Sequence, residues 1–145
     1  MKKMHPAQKY LLQIKKYDAL IENKKAEKVF WEDIATGTTM HISEDVYSSS
    51  GNKQKMANAV INVLEIQQEI NSYIKTFYEK RKEVTDVIEQ LNADEYDLLH
   101  KVYIQYYSLK EVQYIKKKSY SSITFLHGRA LNNVLKIIER KNNNE

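Results

Sequence analysis

The chain has 145 residues and a formal net charge of +4, which fits one domain, or one compact unit with a long helical extension. It contains no cysteine, so disulfides, thiolate metal sites and cysteine nucleophiles are excluded, while three glycines and one proline permit long uninterrupted helices. The pI near 9.0 is permissive for a nucleic-acid partner.

Several classes of function find no support in the sequence. No run of about 18 apolar residues occurs, and the segment after Met1 lacks the apolar stretch of a signal peptide, so we expect a cytoplasmic protein with no membrane partner. No phosphate-cradling glycine loop occurs, and the acidic residues are scattered along helix faces, so we expect no enzyme. His100 and His127 lack a carboxylate or cysteine set to complete a ligand sphere, so we expect neither a metal nor another cofactor.

The first predicted element is an amphipathic helix from about Pro6 to residues 31–35. Proline suits a first helical turn, and apolar residues follow at spacings of three and four, namely Tyr10, Leu11, Ile14, Tyr17, Leu20 and Ile21. Residues 36–52 begin with a Thr-Gly-Thr-Thr segment and end with a serine-rich one. They are predicted to form an exposed loop.

A heptad stripe is the clearest pattern in the sequence. Two interleaved series recur every seven residues, Met56, Val63, Ile70, Phe77, Val84 and Leu91, and Val60, Gln67, Ile74, Arg81 and Ile88. They predict a helix from about residue 52 to 91, roughly 60 Å long, which exceeds what a small core covers. We expect the first helix to fold back antiparallel along it and a second copy of the chain to cover the rest, through Val63, Ile70, Ile74, Phe77 and Val84. Gln67 and Arg81 either fix the register of this seam or lie at its solvated end.

Three helices are predicted after the heptad stripe. Asn92 with Glu95, and Ser108 with Glu111, form capping-box patterns, and Ser119 lies where an N-cap is needed before the last helix. The predicted inward faces are Leu98, Leu99, Val102 and Tyr106, then Leu109, Val112 and Ile115, then Ile123, Leu126, Ala130, Leu131, Val134 and Ile138.

The predicted fold class is therefore all-α, in three parts. A long, coiled-coil-like antiparallel hairpin spans 1–91, a three-helix helix-turn-helix bundle spans 92–141, and a disordered tail spans 142–145. The hairpin is expected to provide dimerisation or partner binding.

The last helix is the candidate for reading DNA. In a helix-turn-helix unit the first two turns of this helix face the bases of the major groove. Hydroxyls contact bases or phosphates, an aromatic ring contacts a thymine methyl, and lysines before the helix suit phosphates. The candidate DNA-binding residues are Lys116, Lys117, Lys118, Ser121, Ser122, Thr124, Phe125 and Arg129. From these patterns alone, a plain helical interaction module remains an equal alternative.

Five stretches of the sequence resemble one protein family. They are residues 10–16, 34–36, 49–57, 96–101 and 121–131, and the Leu-His-Gly-Arg-Ala-Leu string at 126–131 is the most specific. The chain resembles small phage and prophage late-gene regulators of the RinA, ArpU and LtrC type, whose C-terminal part is similar to region four of bacterial sigma factors. The resemblance implies a DNA-binding activator of packaging and structural genes in a bacterial host, which binds double-stranded DNA near the promoter and contacts host RNA polymerase.

The chain departs from the family pattern at three positions. The short middle helix of the family carries a small residue and later a large apolar one, where this chain has Gln113 and Lys116, and Lys118 replaces an aromatic residue. We expect Gln113 to loosen the helix packing unless Ile115 compensates. The alternative hypothesis is a helical protein that binds RNA polymerase or another phage regulator without binding DNA.

Overall fold

The computed structural model describes residues 3–37 and 49–144, and every element within them is helical. The elements are α1 (Pro6–Leu11), α2 (Gln13–Thr36), α3 (Ser49–Ile88), α4 (Ala93–Leu99), a π-helical segment (His100–Ile104), α5 (Leu109–Lys116) and α6 (Tyr120–Asn143). The predicted all-α fold class is confirmed. Within the described part of the chain, no helix is both long and apolar enough to cross a bilayer.

The chain divides into two compact units. One contains Met1–Lys16 and Phe77–Glu145, and the other contains Tyr17–Thr76. The boundary predicted at residue 91 differs from these, because the first and last turns of the predicted hairpin share a core with the C-terminal helices. That core contains Ala7, Leu11, Ile14, Val84, Val87, Ile88, Leu99, Tyr103, Ile104, Ala130, Leu131, Val134 and Ile137.

In the unit formed by residues 17–76, α2 and α3 run antiparallel, as predicted. The rings of Tyr17 and Tyr73 lie 6.3 Å apart, and Lys28 Nζ donates to Gln67 Oε1 at 2.6 Å. The later residue of α2 thus contacts the earlier residue of α3, so the two helices run in opposite directions. Gln67 therefore belongs to the seam between these helices. The unit buries Ile21, Ala59, Ile66 and Ile70.

The second predicted heptad series of α3 faces inward only in part, since Ile88 is fully buried and Gln67 and Ile74 are half-buried. Positions three residues after the first series also face inward, and Ala59, Ile66 and Val87 are buried. Val60 and Arg81 are exposed. In α-helical geometry both a three-residue and a four-residue step stay near one face, and only the partner's position decides between them.

The π-helical segment changes the register of the chain before α5. Gln105 N donates to His100 O, five residues back, at 3.0 Å. The wider turn buries Tyr103 and Ile104. Val102 and Tyr106 were predicted to face inward, but Val102 is half-buried and Tyr106 is exposed. The prediction was wrong here because it continued a period of 3.6 residues across a segment that has a larger one.

Two predicted boundaries also differ from the structure. The loop predicted at 36–52 is shorter at both ends, since Thr36 is the last residue of α2 and α3 begins at Ser49. The remainder of that prediction, residues 38–48, lies outside the described residues. The tail that was predicted to be disordered from residue 142 begins inside α6, because this helix continues to Asn143. On the inward face of α6, Ile137 is buried, whereas the sequence predicted Ile138.

Candidate nucleic-acid interface

Helices α4, α5 and α6 have the order and spacing of a helix-turn-helix unit. Val112 of α5, Ile123 of α6 and Leu98 of α4 form a small buried cluster. Ser119 is the N-cap of α6, and its Oγ accepts a hydrogen bond from Ser122 N at 3.1 Å. The three residues 117–119 connect α5 to α6, and Lys117 takes a left-handed conformation with φ 54°. The middle helix thus packs through Val112 in spite of Gln113, whose side chain is half-buried.

A concave basic surface lies along α5 and the turn after it. Lys110, Gln113, Tyr114, Lys117 and Lys118 line a concavity of about 500 Å³, which we call the basic surface. Its three ammonium groups form no ion pair or hydrogen bond with the described residues, and Tyr114 is 87% exposed. Lys117 and Lys118 were predicted, whereas Lys110 was not, because it lies two helical turns before them in sequence.

Lys116 does not belong to the basic surface. Its Nζ lies 2.6 Å from Asp97 Oδ2 of α4, and only 17% of its side chain is exposed. Burial by itself raises the pKa of Asp97. Hydrogen bonds from Lys101 and Lys116 lower the pKa by more than burial raises it, so the pKa of Asp97 lies below its ordinary value. The sequence prediction placed Lys116 against DNA phosphates, and the structure instead uses its charge to join α5 to α4.

The exposed side of α6 carries four of the predicted DNA-binding residues. Ser121, Ser122, Phe125 and Arg129 are all exposed, with Phe125 at 72%, and we call them the outer face of α6. The fifth, Thr124, is half-buried, and its Oγ1 donates to Ser121 O within the helix at 3.0 Å. The hydroxyl of Thr124 is therefore engaged by the backbone, in contrast to the prediction.

A buried carboxylate lies behind the outer face. Glu95 of α4 is 2% exposed, and it accepts hydrogen bonds from Arg129 Nε at 3.0 Å and from Asn133 Nδ2 at 2.9 Å. Asn92 caps α4 as predicted, since its side chain accepts from Glu95 N at 2.9 Å. The second half of the predicted capping box is absent, because the Glu95 side chain turns towards α6. The residues next to Glu95 in sequence, Asp94 and Tyr96, gave no signal for this contact.

His100 and His127, for which the sequence predicts no metal, have separate hydrogen-bond partners. His127 Nε2 lies 2.7 Å from the hydroxyl of Tyr103, and His100 Nδ1 lies 2.9 Å from Gln105 Nε2. Burial lowers the pKa of both histidines, and the charge of His5 lowers that of His127 further. Burial raises the pKa of Tyr103 to about 12.

The residues predicted for oligomerisation are unevenly accessible. Ile70 and Val84 are buried within the chain itself, and Val63, Ile74 and Phe77 are half-buried. Other apolar side chains of the 17–76 unit are 47–61% exposed, and we call them the apolar surface: Val29, Phe30, Val60, Ile61 and Leu64. Val60, Val63 and Leu64 also line a groove of about 230 Å³ with Ala35.

Comparisons with protein family models, with curated proteins and with solved structures give no match for this chain. We therefore infer function from the geometry of the helix-turn-helix unit and from the distribution of charge around it.

Proposed function

We propose that this protein is a DNA-binding transcription regulator, and that the basic surface and the outer face of α6 together contact double-stranded DNA. The observation that carries the proposal is the set of three unpaired ammonium groups, of Lys110, Lys117 and Lys118, around one concavity. No carboxylate lines this concavity, which suits a polyanion. The resemblance to phage late-gene regulators points to activation of packaging and structural genes.

Two kinds of contact contribute to binding, one to affinity and the other to sequence preference. The lysines of the basic surface neutralise backbone phosphates, which supplies affinity for any sequence. Ser121, Ser122 and Phe125 enter the major groove with the first two turns of α6 and select the sequence. Each good base contact contributes about 1–3 kcal/mol of discrimination. The proposed partners are thus promoter DNA, host RNA polymerase and a second copy of the chain.

The first test replaces the three lysines together, as K110Q, K117Q and K118Q. Since each neutralised phosphate contributes about 0.9 to the slope of log affinity against log salt, the triple variant should lose about 2.7 from that slope. Fluorescence anisotropy with a 30-base-pair duplex of mixed sequence, at several salt concentrations, measures it. Any remaining sequence preference should survive, because the outer face of α6 is unchanged.

A matched triple variant controls for net charge. Lys25, Lys53 and Lys55 are exposed residues of the 17–76 unit, so K25Q, K53Q and K55Q remove the same charge without changing a residue of the basic surface. If both triple variants reduced the slope equally, the basic surface would have no special role. Alanine at Ser121, Ser122 and Phe125 without any change of sequence preference would refute the assignment of α6.

The apolar surface favours a second candidate function. The five side chains of the apolar surface are 47–61% exposed. Exposed apolar groups of this kind often mark protein interfaces. A protein that only binds another protein, such as RNA polymerase or a phage regulator, would use this surface. Such a protein should bind no duplex DNA, even at low salt.

A further inference from the structure

Glu95 is the charged side chain that the described part of the chain buries most completely, with 2% of its surface exposed. Its carboxylate accepts from Arg129 Nε at 3.0 Å and from Asn133 Nδ2 at 2.9 and 3.0 Å, so that α4 holds two side chains of α6. Removing a carboxylate from water is costly, and buried ion pairs often stabilise a fold no better than apolar residues do. Stability alone therefore gives little reason for a carboxylate at this position.

The guanidinium of Arg129 is held by one of its three nitrogens. Its Nε contacts Glu95, its side chain is 48% exposed, and neither Nη group has a partner among the described residues. An arginine fixed through Nε still presents its two Nη groups side by side. These parallel donors match two oxygens of one phosphate, which is a geometry that lysine does not offer.

The position of Arg129 along α6 suits a phosphate better than a base. Ser121, Phe125 and Arg129 follow one another at four-residue steps on the outer face. With a rise of 1.5 Å per residue, Arg129 lies roughly 12 Å beyond Ser121, which is about the width of the major groove. If the first two turns of α6 are in the groove, Arg129 is at its edge, where the phosphates are.

We propose that Glu95 is a positioning residue that orients Arg129 towards a backbone phosphate of DNA. The proposal rests on the proposed function, because it concerns one phosphate contact of the same surface. Glu95 acts only through Arg129 and does not contact DNA itself. Asn133 donates to both oxygens of the carboxylate and so keeps it aligned.

The test combines R129A and E95Q with the 30-base-pair mixed-sequence duplex. We expect R129A to weaken binding about tenfold and to reduce the salt slope by about 0.9, since one phosphate contact is lost. E95Q removes a negative charge near DNA, which by charge alone should strengthen binding. The positioning role predicts the opposite sign, a loss of severalfold, because the amide holds the guanidinium less firmly.

The double variant E95Q/R129A separates positioning from a structural role. If Glu95 acts through Arg129, E95Q causes no further loss of affinity in the R129A background. R129K, which keeps the charge but not the paired donors, should retain the salt slope and bind severalfold more weakly, and this result does not depend on the folding of E95Q. R140A is the matched control, because Arg140 lies on α6 and its Nε donates only to the helix backbone at Lys136 O.

The outcomes distinguish this inference from the proposed function. A wild-type chain that binds no duplex overturns both. Binding by the wild type with no effect of R129A beyond that of R140A overturns only the positioning role. An E95Q variant that binds more tightly, or that loses equal affinity in both backgrounds while circular dichroism shows the same helicity, also overturns it.

Discussion

Lys117 adopts a backbone conformation that lysine seldom takes. Its φ and ψ of 54° and 45° are left-handed, and its N–H donates to carbonyls at the end of α5, so it terminates that helix. The left-handed region costs residues other than glycine about 1–2 kcal/mol. Fold stability alone thus favours glycine here, whereas the basic surface needs the ammonium group.

We predict that K117G stabilises the fold and weakens DNA binding. The free energy of unfolding, measured by urea denaturation, should rise by about 1 kcal/mol because the backbone strain is removed. Tyr106 gives the comparison, since it also has a positive φ of 67° but its ring lies 5.9 Å from Lys15 Nζ. Y106G loses that contact and should gain less. A less stable K117G would contradict this reading of the turn.

His127 makes the stability of the fold dependent on pH. Burial, and secondly the charge of His5, lower its pKa below the ordinary 6.5, and the pKa of His100 is lowered in the same direction. The unfolded chain therefore binds the proton more readily than the folded one. The contribution to stability is complete above about pH 6.5 and is lost as the pH falls below that value.

We predict that the melting temperature falls between pH 7.5 and pH 5.5, and that H127Q reduces this fall. Glutamine keeps a polar group near the Tyr103 hydroxyl but does not titrate in this range. Thermal unfolding followed by circular dichroism at both pH values measures the difference. Equal falls in wild type and H127Q would show that His127 does not carry the effect.

The apolar residues of α3 lie in two different environments. Ile70 is 3% exposed, in the seam with α2, whereas Ile61 is 54% exposed on the apolar surface. The same substitution at these two positions should therefore have different consequences. The heptad pattern distinguished them, because Ile70 belongs to the first series whereas Ile61 belongs to neither series.

We predict that I70D unfolds the 17–76 unit and that I61D does not. A charge at Ile70 loses its water without gaining a partner, so the free energy of unfolding should fall by about 3 kcal/mol or more. I61D should change it by about 0.5 kcal/mol or less. If a second copy of the chain covers the apolar surface, I61D also lowers the mass seen by light scattering. A wild-type monomer would contradict self-association.

The elements predicted well from sequence are those with local causes. The caps at Asn92, Ser108 and Ser119 depend on residues three positions away, and all three are present. The π-helical segment was missed because no local pattern marks an extra residue in a helical turn. The partners of Lys116 and Arg129 were missed because Asp97 and Glu95 are distant in sequence and meet them only through the crossing of α4 with the later helices.

The two compact units carry different parts of the proposed function. The unit of residues 1–16 and 77–145 contains the basic surface and the outer face of α6, and the unit of residues 17–76 contains the apolar surface. DNA contact and association with a protein partner are thus proposed for different units. Variants of one unit should leave the function of the other unchanged.

The salt dependence of wild-type binding to the 30-base-pair duplex is the decisive test of DNA binding by this protein. Four cations, those of Lys110, Lys117, Lys118 and Arg129, are proposed to neutralise phosphates. With about 0.9 for each phosphate, the slope of log affinity against log salt should lie at about −3 to −4. No binding at low salt, or an affinity that does not change with salt, would contradict DNA binding by this protein.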